Sequence, residues 1–237
     1  MTRLVFVTGD KGGVGKSFTS RLLLDWYLKS GSKVRAFDTD KTNSTLFRFF
    51  KDVESPLFDL DQLDTDDQPS LDQFLNEIVS DEEDSIFMVD CAARTMERLL
   101  AWMSDLGFFE LAKEHSIKLT LAFVLGPELD CVQILKDMSD SFQENAEYVL
   151  VKNLGKGSQF KVYDESKTRT RILNEWGGKE ISIPNLVPST SLEIDRLCLP
   201  FHIAKEGKEL GIAERSRVST FQAKAFAEFD QVGDLCR

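Results

Sequence analysis

Cysteine is scarce in this 237-residue chain and scattered: Cys91, Cys131, Cys198 and Cys236 form no CxxC pair. That spacing offers no ready zinc or iron–sulfur ligand set and no disulfide framework, and it fits reduced thiols in a cytoplasmic protein. No stretch approaches the ~18 consecutive apolar residues of a membrane span. The N-terminus enters a strand-like run without a signal-type apolar region, and the tail Ala227–Arg237 lacks the basic face of a membrane-lying helix. Membrane and secreted classes are therefore not expected. Positive charge is also short, with 29 Lys+Arg against 40 Asp+Glu and a net charge of −11, so the whole chain is a poor general polyanion binder. What is present, 42% hydrophobic and 29% charged residues, is the profile of a globular protein. A chain of this length buries roughly 70–75% of its unfolded surface and needs no staple. One domain, 1–237, is expected.

Apolar runs of strand length alternate with helix-length periodic stretches, which predicts an α/β fold with a mostly parallel sheet and helices on both faces. The runs are Leu4–Val7, Val34–Phe37, Ile86–Val89, Leu119–Leu125, Tyr148–Val151 and Ile181–Val187. Pro184 marks the last as short or an edge strand. Helices are predicted over 17–30, ended by Gly31, and over 70–79, where Ser70 and Gln73 form a capping box. Further helices are predicted over 95–113, broken near Gly107, then over 129–143 and 216–232. The acidic charge is concentrated: residues 51–85 hold thirteen acidic residues and one lysine, Lys51. Within it, 52–69 is expected to be mobile, punctuated by Ser55-Pro56 and Pro69.

The most informative segment is Gly9-Asp10-Lys11-Gly12-Gly13-Val14-Gly15-Lys16-Ser17, between the first strand and the first helix. Strand, glycine-rich loop and helix N-terminus in that order form a phosphate cradle, in which backbone N–H groups and the helix dipole face an anion. Lys16 is expected to reach the β- and γ-phosphates and the Ser17 hydroxyl to bind Mg²⁺ directly. Chain geometry brings two carboxylates to the same place. A helix over 17–30 leads about 21 Å away at 1.5 Å per residue, and a strand over 33–38 returns about 20 Å, placing Asp38 near the loop. Asp90 ends another strand at that edge. Both are expected to hold Mg²⁺ through water, because Mg²⁺ gives up its hydration reluctantly.

The pattern Lys11-Gly12-Gly13-Val14-Gly15-Lys16-Ser17, with Asp10 where the usual leading glycine stands, resembles the deviant Walker A motif of the ParA/MinD superfamily of P-loop NTPases. The resemblance implies an ATP-dependent sandwich dimer in which Lys11 crosses to the nucleotide of the second subunit. It also implies nucleotide contacts along Lys11, Gly12, Gly13, Val14, Gly15, Lys16, Ser17 and Phe18. Asp38-Thr39-Asp40 matches the family's Asp-x-Asp switch, in which the second aspartate, here Asp40, orients the attacking water. Lys41 stands where the family more often has proline, and Asp90-Cys91-Ala92-Ala93 lacks the glycine of the usual second switch. Asn153 matches the asparagine that reads adenine, and Val187-Pro188 the turn that lines the base; no Asn-Lys-x-Asp guanine motif occurs. Catalytic roles thus fall to Lys11, Lys16 and Asp40, with ATP and Mg²⁺ as cofactors.

Phe37 to Leu46, together with Val151-Lys152-Asn153-Leu154-Gly155-Lys156-Gly157 and Phe160, looks most like the TraL/StbC type of plasmid ATPase. That branch implies a weak Mg-dependent ATPase cycling between monomer and dimer in plasmid transfer, partition or positioning, with a protein partner from such a system. Two other readings stand beside it. One is an ATP-dependent small-molecule ligase of the same fold, and the other a nucleotide-gated adaptor with little hydrolysis. The stretch 152–179 carries Lys152, Lys156, Lys161, Lys167, Arg169, Arg171 and Lys179. It is either a solvated helix face or a DNA-docking face, which the acidic segment could cover within the same molecule.

Overall fold

The alternation read from the sequence folds into a seven-stranded sheet in the order β3-β2-β4-β1-β5-β6-β7, with every strand pair parallel. The computed structural model describes residues 2–9 and 12–237. Its first half runs β1 (Arg3–Thr8), α1 (Lys16–Ser30), β2 (Val34–Asp38), α2 (Thr45–Phe50), β3 (Phe58–Gln62), α3 (Gln68–Val79) and β4 (Ile86–Asp90). Then come α4 (Thr95–Leu106), α5 (Phe108–Glu114), β5 (Lys118–Leu125), α6 (Leu129–Phe142), β6 (Glu147–Asn153), α7 (Lys161–Asp164) and α8 (Lys167–Asn174). The chain closes with β7 (Lys179–Ile183), α9 (Pro188–Leu197), α10 (Phe201–Ala204), α11 (Ile212–Asp230) and α12 (Gly233–Cys236).

β1 lies at the centre, buried along its whole length, as a strand covered on both faces should be. The two faces are separated by the period-2 alternation of each strand. On β2, Phe37 packs edge-on against Phe74 of α3 at 4.8 Å, whereas the next residue, Asp38, accepts a bond from the Leu46 backbone N–H of α2. Helices α2 and α3 therefore cover opposite faces. On the α2 face, α1 contacts α2, α10 and α11. On the α3 face, Trp102 of α4 donates to Asp72 of α3 at 3.0 Å, and Phe109 of α5 meets Phe142 of α6. Gly107, with φ +62°, breaks the predicted 95–113 helix into α4 and α5.

Three local features differ from the sequence reading. Residues 58–62, inside the acidic stretch, form edge strand β3, paired in register with β2 from Val34↔Phe58 to Asp38↔Gln62. Its carboxylates Asp59 and Asp61 disguise a strand that only Phe58 and Leu60 advertise. The cap of α3 is Asp67, which accepts from the Ser70 backbone N–H at 3.2 Å, so Ser70 lies inside the helix rather than capping it. The last long helix begins at Ile212 rather than 216, with the Glu214 side chain accepting from the Gly211 N–H.

Candidate functional site

The loop between β1 and α1 is shaped by close approach as much as by flexibility. Gly15 has φ +101°, and a Cβ there would lie 2.2 Å from the Asn153 side-chain nitrogen. Gly9 has φ +137°, and a Cβ there would meet the Val124 carbonyl of β5 at 2.5 Å. Either substitution strains the backbone and pushes the loop off the sheet. Gly12 and Gly13 instead face open space and are exposed, while Val14 and Lys16 are buried. Ser17 follows in the first turn of α1, and Phe18 packs behind it against Phe201 and Phe221. Lys11 and its neighbour Asp10 lie outside the described residues.

Both strand-end carboxylates reach this edge. Asp38 and Asp90 are register partners across β2 and β4, and both are buried. Asp38 accepts from Ser44 Oγ at 2.7 Å and from the backbone N–H groups of Asp40 and Leu46, each at 2.9 Å. Burial nevertheless pushes its carboxyl above the usual carboxylate range. Asp90 accepts from Ser20 Oγ at 2.8 Å. Burial first and the neighbouring Asp38 second push its carboxyl up to about 6, against the pull of Ser20, Ser17 and Lys16. Two like charges kept side by side, where the pull of Lys16 does not bring the Asp90 carboxyl back to its usual range, are a site that gains by receiving a cation. Among the described residues no cluster of three or more His, Cys, Asp or Glu side chains could hold a metal by itself. The residues therefore fit a Mg²⁺ that brings phosphate and water oxygens with it, as hard, hydrated Mg²⁺ does.

Thr39, between the two switch aspartates, ties them to the segment after β4. Its hydroxyl donates to the Asp90 carbonyl at 3.0 Å, accepts from the Ala92 N–H at 2.8 Å and lies 3.1 Å from Thr95 Oγ1. Asp40 is half-buried, and its Oδ1 accepts from the Thr42 and Asn43 N–H groups at 3.0 and 2.9 Å. Lys41 pairs with Asp64, while the Leu63 N–H donates to the Asp38 carbonyl at 3.0 Å. The acidic segment is thereby bonded to the Asp38–Lys41 turn. None of Ser20, Thr39 and Ser44 stood out in the sequence. The signal available was their spacing: Ser20 lies one helical turn past Ser17, and Thr39 falls between two acids at a strand end.

From the loop a cleft of about 690 Å³ opens between α1, α2 and α9, lined also by Asn153, Gly155, Asn185 and Pro188. The Asn153 side-chain amide donates to the Val14 carbonyl at 2.8 Å and accepts from the Gly155 N–H at 3.0 Å. It clamps the phosphate loop and still keeps one N–H and one lone pair, enough for one edge of a purine. Pro188 is exposed at the first turn of α9, where its missing N–H costs nothing.

The basic stretch has a different character. Lys152 pairs with Asp164 and Glu180, Arg169 with Glu180, Arg171 with Asp140, and Lys179 with Asp234. Burial alone would raise the Glu180 carboxyl, but bonds from Arg169, Tyr163 and Lys152 outweigh it and hold it at about 2. Four of the seven basic side chains are thus neutralised locally, which corrects the picture of a free basic face; Lys156, Lys161 and Lys167 remain as exposed charge. The idea that the acidic segment covers this stretch also fails. β3 and β7 are the two opposite edges of the sheet, six strand spacings or about 29 Å apart at ~4.8 Å each.

No described helix is long and apolar enough to cross a membrane. In sequence, the chain is similar to protein MobD of Acidithiobacillus ferrooxidans, 27% identical over 225 residues that cover 94% of each chain. In structure it is similar to the septum site-determining protein MinD complexed with Mg-ADP from Pyrococcus horikoshii OT3. That likeness has TM-score 0.54 at 17% identity and covers 100% of this chain and 99% of that one. It is also similar to a Borrelia burgdorferi B31 protein bound to AMPPNP and described as a plasmid partition protein, with TM-score 0.52 at 13% identity over 96% and 99% of the two chains. These two likenesses speak for the fold, that of a P-loop NTPase. The family model of the CobQ/CobB/MinD/ParA nucleotide-binding domain matches residues 5–144, the stretch that carries the phosphate loop, Asp38 and Asp90. The chain belongs to that family.

Proposed function

We propose that this protein is an ATPase that binds Mg·ATP at the phosphate loop and pairs with a second copy of itself while ATP is bound. The observation that carries the proposal is the buried register pair Asp38 and Asp90 beside the loop and the N-terminus of α1. In this reading the loop N–H groups and Lys16 hold the phosphates, and Ser17 with the two aspartates holds Mg²⁺. The metal, when bound, neutralises charge on the phosphates. Asn153 and Pro188 receive the base. Asp40 orients the attacking water through the carboxylate oxygen its turn leaves over, and Lys11 acts across the dimer. The similarity to MobD and to a plasmid partition protein supports a role in plasmid transfer, partition or positioning, with a protein partner from such a system.

One observation favours slow hydrolysis, and with it the adaptor reading. Asp40 Oδ1 is committed to its own turn, Lys41 to Asp64 and Thr39 to Ala92, so the water-positioning turn is held in place until something releases it. Chromatography with light scattering in ADP, ATP and AMPPNP tests the proposal. A dimer is expected only with the triphosphates. Lys11→Ala is expected to bind ATP as a monomer, and Asp40→Ala to accumulate as a long-lived ATP dimer. A wild-type protein that stays monomeric in AMPPNP would overturn the dimer cycle.

A further inference from the structure

The turn that follows Asp90 breaks several local rules at one residue. Arg94 has φ +67°, in the left-handed region where any side chain with a Cβ is unfavourable and glycine is at ease. It also stands at the N-cap of α4, where an acceptor side chain is wanted, and a guanidinium has none to offer. Its positive charge opposes the positive end of the helix dipole as well. Four other described non-glycine residues have a positive φ, and none lies at this edge. Asp84, Ser116 and Gln143 lead into β4, β5 and β6 at the end of the sheet opposite the phosphate loop, and Cys198 caps α9.

The surroundings hold Arg94 in this conformation. The Cys91 N–H donates to the Val7 carbonyl at 3.1 Å, so the turn leaves β4 alongside the strand that enters the phosphate loop. Ala92 and Thr95, on either side of Arg94, both meet the Thr39 hydroxyl, at 2.8 and 3.1 Å. Thr39 in turn lies between Asp38 and Asp40. The backbone around Arg94 is therefore pinned to both halves of the proposed nucleotide site, while Arg94 itself is exposed. A strained conformation that its neighbours over-determine, and that glycine would relieve, points to a task for the side chain beyond the fold.

We propose that the Arg94 guanidinium is a catalytic group that donates to the oxygens of the γ-phosphoryl group while ATP is hydrolysed. This rests on the ATP reading above and adds to the roles given there to Lys11, Lys16 and Asp40. The water oxygen bonds to the γ-phosphorus, and the bond from that phosphorus to the β–γ bridging oxygen breaks with its electron pair left on ADP. One water proton stays on the phosphate and the other leaves to solvent. Charge spreads over the outer oxygens of the phosphoryl group on the way. A planar fork of N–H donors matches those oxygens, whereas the ionised carboxylates of Asp38, Asp40 and Asp90 accept and cannot donate.

The test compares wild type with Arg94→Ala, which removes the guanidinium and keeps the strain, and Arg94→Gly, which removes both. With Mg²⁺ present, three quantities are read. They are ATP affinity by calorimetry, single-turnover hydrolysis with protein in excess, and affinity for ADP with aluminium fluoride, a mimic of the phosphoryl group in transfer. Both variants are expected to bind ATP within about threefold of wild type, to hydrolyse it roughly 100-fold more slowly, and to lose a similar factor for ADP with aluminium fluoride. In urea without nucleotide, Arg94→Gly is expected to unfold at a higher concentration than Arg94→Ala, which also reports an intact fold. Hydrolysis by either variant at the wild-type rate overturns the proposal. So does equal weakening of ATP and of ADP with aluminium fluoride, which would make Arg94 a ground-state phosphate binder. Arg94→Gly no more resistant to urea than Arg94→Ala removes the strain on which the proposal stands. A wild type that binds ATP and never hydrolyses it overturns the catalytic role and leaves ATP binding in place. A wild type that binds no ATP overturns the underlying ATP reading instead.

Discussion

Asp90 and Glu180 are both carboxylates drawn into the same sheet, yet their acidities are driven in opposite directions. Asp90 ends β4 beside a second acid, Asp38, and its carboxyl rises to about 6. Glu180 sits on edge strand β7 among Lys152, Arg169 and Tyr163, and its carboxyl falls to about 2. Burial opposes ionisation at both places, and the neighbours decide the outcome. Around Glu180 the charges are already satisfied, so that cluster is scaffold. Around Asp90, burial and the neighbouring Asp38 outweigh Ser20, Ser17 and Lys16, so that edge is where a cation and its anionic ligand gain most. The contrast separates the proposed nucleotide site from the basic stretch 152–179, which composition alone made equally conspicuous.

The largest effect expected on the Asp90 side is from Lys16→Ala. Removing the cation at the phosphate loop should weaken ATP binding by about 100-fold or more by calorimetry, with the far-UV circular dichroism unchanged. Asp90→Asn sharpens the contrast from the stability side. Because the folded carboxyl titrates at about 6 instead of 3.8, the folded state binds the extra proton between those values. The penalty for ionising Asp90 is therefore absent below about pH 4, grows as pH rises and is complete above about pH 6. Without nucleotide, Asp90→Asn should unfold in urea with up to about 3 kcal/mol more stability than wild type at pH 7.5, and with no gain at pH 3.5.

Glu180→Gln should act with the opposite sign. The depressed carboxyl contributes stability that is present above about pH 4.5 and lost as pH falls toward 2. The substitution should cost about 1–2 kcal/mol at pH 7, discounted for partial exposure, and leave ATP affinity unaltered. The smallest effect is expected from Lys156→Glu with Lys161→Glu and Lys167→Glu, which touch none of these carboxylate pairs. Stability should shift by about 1 kcal/mol or less in total. If the ATP-bound protein uses this face for DNA, the triple change should abolish binding at low salt in a gel-shift titration. Unchanged binding would remove DNA from this surface.

How far these regions could be read from sequence follows from how local their signals are. The phosphate loop is a contiguous motif with a fixed context, so Gly12 to Ser17 and the helix start were legible at once. Asp38 and Asp90 are 52 residues apart in sequence, yet both end apolar strands, and parallel strands must deliver their ends to one edge. Their register partnership needed only the strand order to be exposed. β3 was hidden because an edge strand with acids facing solvent looks like a loop. The pairing of Lys152 and Arg169 with Glu180 was hidden because it joins a strand end, a helix and the neighbouring strand, and net charge over a window cannot see cross-element neighbours.

The central claim is that Asp38 and Asp90 form a cation-dependent nucleotide site. The most direct test is calorimetric titration of ATP into wild type and into Asp38→Asn with Asp90→Asn, each with Mg²⁺ and with EDTA. The account predicts that Mg²⁺ tightens ATP binding to wild type by tenfold or more, about 1.4 kcal/mol, and does nothing for the double variant, which still binds ATP through the loop and Lys16. Equal tightening by Mg²⁺ in both proteins would contradict it.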